Sequence, residues 1–135
     1  MIDTEDAWKS VAAYHPDAHI WGMRAKEQLA RLYLQEDEYD DALAIFNEFA
    51  EQPSVEVRLR AFGLAGQAVV YTIQKKYPQS AEKLAELWPH RNELDPQMRN
   101  LMAYVLRKNK EKLAGKNTEN WSEFLESPNP DRGND

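Results

Sequence analysis

The stretch LARLYLQEDEYDDALAIFNEF, residues 29–49, decides the fold. Shifted by 38 positions it lies on QAVVYTIQKKYPQSAEKLAEL, residues 67–87. Ala30 falls on Ala68, Tyr33 on Tyr71, Tyr39 on Tyr77, Ala42 on Ser80, Phe46 on Leu84 and Phe49 on Leu87. Small meets small and large apolar meets large apolar, in the same order. A period in the 30s marks a helical repeat array, whose units cannot bury their apolar faces alone and therefore stack. Such arrays bind other proteins far more often than they carry out reactions, so a binding role is the first expectation.

Further helices extend outward from that pair. Thr4 or Asp6 caps a first helix that carries Ala7, Trp8, Val11, Ala12 and Tyr14 and ends at Pro16-Asp17. A second helix runs from about residue 18 to 35 and a third from about 39 to 52, with the polar turn Glu36-Asp37-Glu38 between them. Pro53-Ser54 breaks the pattern, and Ser54 is a candidate N-cap. The fourth helix, about 55 to 76, is the least polar and is expected to be covered on two sides. Gly63 and Gly66 lie inside it at a cost of about 1 kcal/mol each against alanine, so close approach of another helix is their expected purpose. A fifth helix begins near Pro78 and runs to Pro89, which ends or kinks it. Asp95-Pro96 is a cap followed by proline at the first helical position of a sixth, which carries Met98, Leu101, Met102, Val105 and Leu106 and stops at Gly115.

The reading is all-α: an antiparallel helix-hairpin solenoid of about two repeats plus flanking helices over residues 1–115. Residues 116–135 read as a polar, mostly disordered tail. Within it Trp121, Phe124 and Leu125 fall at i, i+3, i+4 on a candidate short helix, either a docking motif or a cap over the last repeat.

The chain has 135 residues, enough for one domain, and a formal net charge of -6. Residues 1–50 carry 4 basic and 11 acidic groups, residues 51–114 carry 11 basic and 7 acidic, and residues 115–135 carry 2 basic and 5 acidic. An acidic chain lacks the dense basic surface that nucleic-acid binding needs. The basic middle suits an acidic peptide or the acidic half of a neighbouring copy. With 0 cysteines there is neither a disulfide nor thiolate chemistry. No stretch approaches the roughly 20 apolar residues of a membrane span, and the acidic start is unlike a signal peptide. The default placement is soluble and cytoplasmic, or envelope and periplasmic if the chain is part of a longer anchored protein.

Leu29-Ala30, Tyr33, Tyr39, Ala42 and Phe46 resemble a tetratricopeptide repeat (TPR). The run Asp37-Glu38-Tyr39-Asp40-Asp41-Ala42 resembles that family's Gly-Asp-Tyr-x-x-Ala turn, with Asp37 where glycine is usual. The second unit departs from the pattern, with Gln67 for the large residue, Ser80 for Ala and Leu84 for the aromatic. Its period of 38 exceeds the family's 34 or so. The resemblance covers about residues 7–113. The first helix is similar to a helix B whose helix A is missing, which sets a longer chain beside a complete one. Tyr14-His15-Pro16-Asp17-Ala18 and the long A helix resemble the bacterial cell-envelope members.

In that family the A helices line a concave groove that binds peptides. The resemblance places Arg24, Glu27, Arg31 and Leu34 there from the first unit, and Phe62, Ala65, Val69 and Thr72 from the second. Tyr104, Arg107 and Lys108 join from the last helix. The expected ligand is a segment with an apolar anchor and an acidic flank. Alternatively the last helix fills the groove and Phe62 and Val69 are core. The family's chaperone-tail clamp needs Lys and Asn where Glu27 and Arg31 stand.

No catalytic, metal or cofactor site is expected. His15 and His19 are separated by helix-breaking Pro16, and His90 is alone. Glu36-Asp37-Glu38-Asp40-Asp41 lacks the glycine and spacing of a calcium loop. There is neither a glycine-rich phosphate loop nor a nucleophile elbow. The leading reading is a non-enzymatic adaptor for a protein partner. The alternative is a self-assembling module that stacks head to tail through an end formed by Trp8 and Trp21.

Overall fold

The computed structural model describes residues 4–6, 9, 20–52, 55–112 and 118–126. Every regular element among them is helical. They are α1 (Ile20–Gln35), α2 (Tyr39–Glu51), α3 (Val57–Ile73), α4 (Tyr77–Leu87), a 3₁₀ turn η1 (Trp88–Glu93), α5 (Pro96–Lys112) and α6 (Thr118–Glu126). The expected first helix, Pro53-Ser54 and Gly115 lie largely or wholly outside the described residues. Pro89 ends the α-helical run as expected, and the chain continues as η1. Asp95 caps α5 by accepting a 2.8 Å bond from the Met98 N–H to Oδ1.

The 38-residue period is a period of the backbone as well as of side chains. Asp37 and Lys75 both adopt a left-handed conformation, at φ 60° and 63°. Around Asp37, the Glu38 N–H reaches the Tyr33 carbonyl at 2.8 Å and the Asp37 N–H reaches Leu34 at 3.2 Å. Around Lys75, the Lys76 N–H reaches Tyr71 at 2.7 Å and the Lys75 N–H reaches Thr72 at 3.0 Å. This paired bonding satisfies the last carbonyls of α1 and α3 and reverses the chain into α2 and α4. The aligned side chains share their environment too. Ala30, Ala68, Ala42, Ser80, Phe46, Leu84, Phe49 and Leu87 are all buried.

Helix α3 is the centre. From Ala61 to Val70 every residue is buried, so it is covered on all sides rather than two. α2, α4, η1 and α5 all pack on it. The glycines set the α2 crossing. A Cβ at Gly63 would lie 2.7 Å from the Phe46 carbonyl oxygen and the Ala50 nitrogen, and one at Gly66 would lie 2.2 Å from the Phe46 ring. Gln67, where the first unit has Leu29, donates to Asn47 Oδ1 of α2 at 2.7 Å.

The far side of α3 is tied to α4 and α5 by buried hydroxyls. Ser80 gives its proton to the Ala68 carbonyl at 3.0 Å. Thr72, 2.7 Å away, must therefore donate to Ser80. Asn109 of α5 donates to Thr72 at 3.2 Å and to the Val105 carbonyl at 2.8 Å. Ser80 in place of Ala42 is thus the link that lets a polar residue of α5 sit in the core.

α6 lies beyond the expected boundary at residue 115, yet its Trp121 is only 1% exposed. Its ring meets Trp88 edge to face at 5.2 Å, and Phe124 lies 5.7 Å from it. Arg91 stacks on Trp88 at 3.8 Å, and Arg99 on Phe124 at 4.4 Å. Trp121 and Phe124 therefore cover Trp88 of η1, and α6 packs on α5.

Three outcomes follow from this geometry. Lys75→Gly removes the left-handed penalty of about 1 kcal/mol and raises the melting temperature. Asp37→Gly gains less, because Asp37 also accepts a 2.8 Å bond from the Tyr39 hydroxyl. Gly66→Ala, ordinarily favourable within a helix, instead lowers stability by about 1–3 kcal/mol through overpacking against Phe46. Thermal denaturation followed by circular dichroism reads all three.

Candidate functional site

The structure divides the expected groove residues into three groups. Phe62, Ala65, Val69 and Thr72 are each at most 3% exposed. This corrects the expectation of an open floor: α5 packs along α3, and the second-unit positions are core. Phe62 meets Phe46 at 5.3 Å and Phe49 at 6.0 Å. Thr72 is held in the hydroxyl chain. The alternative, in which the last helix fills the groove, describes this middle section.

The second group forms a latch. Glu27 is buried, its side chain 7% exposed, and Arg58 of α3 donates to both of its oxygens at 3.1 Å. Arg31, one turn on along α1, donates to Glu27 at 2.8 Å and to Asp95 Oδ2 at 2.5 Å. It also donates to Gln97 Oε1. Its guanidinium stacks on the Phe62 ring at 4.7 Å. Asp95 thus serves two ends, with one oxygen capping α5 and the other holding Arg31. The helices α1 and α3 and the start of α5 are joined at this point. Burial opposes ionisation of Glu27, but the hydrogen bonds from Arg58 and Arg31 outweigh it and hold the carboxyl below its usual range. Arg58, Asp95 and Gln97 were not foreseen as members. The cap signal at Asp95 was visible, but its pairing across 64 residues was not.

The third group stays accessible. Arg24 and Arg107 are exposed, while Leu34, Tyr104 and Lys108 are half-buried at the rims of α1 and α5. His90 is half-buried. His15, His19 and the Trp8 and Trp21 side chains lie outside the described residues. Glu5, Glu36 and Glu38 bring carboxylate oxygens within 4.8 Å of one another at the surface. Lys9 is 2.7 Å from Glu5 and supplies a counter-charge. Among the described residues no helix is long and apolar enough to cross a membrane. No protein-family model, curated protein or solved structure gives a significant match to the chain.

Glu27→Gln leaves Arg31 and Arg58 short of a carboxylate and costs about 2 kcal/mol. Because the folded-state pKa of Glu27 is depressed, its contribution is complete above the ordinary carboxyl value of about 4.3. It is lost as pH falls through the lower folded value. Urea denaturation across acid pH shows a shallower loss of stability for Glu27→Gln than for the parent chain.

Proposed function

We propose that the chain is a non-enzymatic, TPR-like helical-repeat adaptor that holds a protein segment against the side formed by α1 and α5. The observation that carries this reading is the duplicated hairpin. The same left-handed turn, with the same two hydrogen bonds, recurs after 38 residues and sets the same side-chain positions into the core. A fold built from repeated hairpins spends its apolar surface on stacking and leaves extended polar faces for partners. The catalytic alternative lacks support: Glu27, the carboxylate with a depressed pKa in the latch, is saturated by two arginines.

With Phe62 and Val69 in the core, the apolar anchor of the ligand falls to Leu34 and Tyr104. The acidic flank falls to Arg24, Arg107 and Lys108. Capture from an extract of the source cells tests the reading, with the parent chain beside an Arg24→Glu/Tyr104→Ala variant. A partner whose recovery drops at least tenfold in the variant, with the melting curve preserved, supports the adaptor. Equal recovery removes this face as the binding surface.

A further inference from the structure

The latch has a fixed half and an exchangeable half. In the fixed half the Glu27 side chain is 7% exposed, and Arg58 and Arg31 together satisfy both of its oxygens. In the exchangeable half Arg31 of α1 reaches over the Phe62 ring of α3 to Asp95 and Gln97 at the start of α5. There the Arg31 side chain is 19% exposed and that of Asp95 35%, so water and solutes reach the pair. Ion pairs so placed contribute little net free energy, because water competes for both partners.

Asp95 can leave Arg31 without being stranded. Its Oδ1 still accepts the Met98 N–H at 2.8 Å and caps α5, while Oδ2 turns to water. Arg31 keeps Glu27 at 2.8 Å and is left short of one carboxylate. A carboxylate is what a guanidinium fork binds most strongly. Glu27 cannot be the group that is exchanged, since Arg58 holds it from the other side. Arg31 also stands seven residues after Arg24 and three before Leu34, so all three share one face of α1.

We infer that Asp95 is a built-in competitor, occupying on Arg31 the place that a carboxylate from the acidic flank of a bound protein segment takes. This rests on the adaptor reading and adds its regulation. Arg24, Arg107 and Lys108 meet the flank first, and Arg31 joins them when Asp95 lets go. The exchange frees the first turn of α5 from α1, which ties occupancy of this face to the position of α5. The competitor weakens apparent affinity in proportion to the fraction of molecules whose Arg31 is vacant, a penalty of about fivefold for a part-exposed pair.

The test is an NMR titration of the full chain with hexaglutamate, read at the arginine Nε–H signals. Asp95→Asn keeps the α5 cap, because asparagine caps as well as aspartate, and withdraws the competing charge. Glu93→Gln, at an exposed position two residues earlier, makes the same change in net charge and leaves Arg31 occupied. The Arg31 signal is expected to shift saturably, with a Kd about fivefold lower in Asp95→Asn than in the parent and unchanged in Glu93→Gln. Adding Arg31→Gln to Asp95→Asn abolishes that gain, read at Arg24. Equal tightening in both single variants, or none in Asp95→Asn, overturns the competitor. Shifts at Arg24 and Arg107 with Arg31 silent in every variant also overturn it and leave the adaptor face standing. Silence of all three arginines overturns the competitor and the adaptor face together.

Discussion

Helix α3 has no face that can meet water between Ala61 and Val70, and the rest of the molecule is arranged to cover it. A helix that is apolar all round is stable only when wrapped. α2 covers one side at glycine distance, α4 returns along another, and η1 and α5 close the remainder. The polar side chains of the α3 core each make at least one bond to a neighbouring helix. Gln67 meets Asn47, and Thr72 joins Ser80 and Asn109. A buried polar group without such a partner costs roughly 1–3 kcal/mol, so these pairs also restrict how α2, α4 and α5 can slide along α3.

That wrapping decides what happens to the side of α3 that faces α5. A groove lined by α3 would expose Phe62, Ala65 and Val69, an apolar strip with no polar relief. α5 removes it from water, and the contact is secured at both ends. Arg31 and Asp95 hold one end, and Asn109 with Thr72 holds the other. The ion-pair group gives direction more than energy. A buried Glu27 is costly to desolvate and is repaid only because Arg58 and Arg31 together satisfy both of its oxygens. What remains accessible is a pair of rims rather than a deep channel.

The hairpin order was legible because its signal is local. Tyr33 to Phe49 repeats as Tyr71 to Leu87 at fixed spacing, and Asp95-Pro96 announces a helix start in two residues. Even the glycines of α3 were readable, since two helix-interior glycines need a steric reason. The pairing of α5 with α6 was hidden because their side chains do not keep the pattern. Asn109 stands where Tyr33 and Tyr71 do, Thr118 where Ala42 and Ser80 do, and Ser122 where Phe46 and Leu84 do, leaving Leu125 as the match. The tail's polar composition masked a buried Trp121, whose partner Trp88 lies 33 residues earlier. The Arg31–Asp95 contact depends on where α5 lands, and no local pattern encodes that.

The turns show how strongly the register is imposed. Left-handed backbone costs an ordinary residue about 1–2 kcal/mol, and neither Asp37 nor Lys75 is a glycine. Both adopt it nonetheless, within 3° of each other in φ. Local preference would favour continuing or fraying the helix at these points. The contacts that the reversal makes available, Phe46 and Phe49 on α3 and Leu84 and Leu87 behind it, outweigh that preference twice over. The same geometry thus arises from an acidic turn in one hairpin and a basic turn in the other. The period of this fold is therefore set by how far each helix must run before its partner's large residues reach the core, and the turn chemistry follows from that distance.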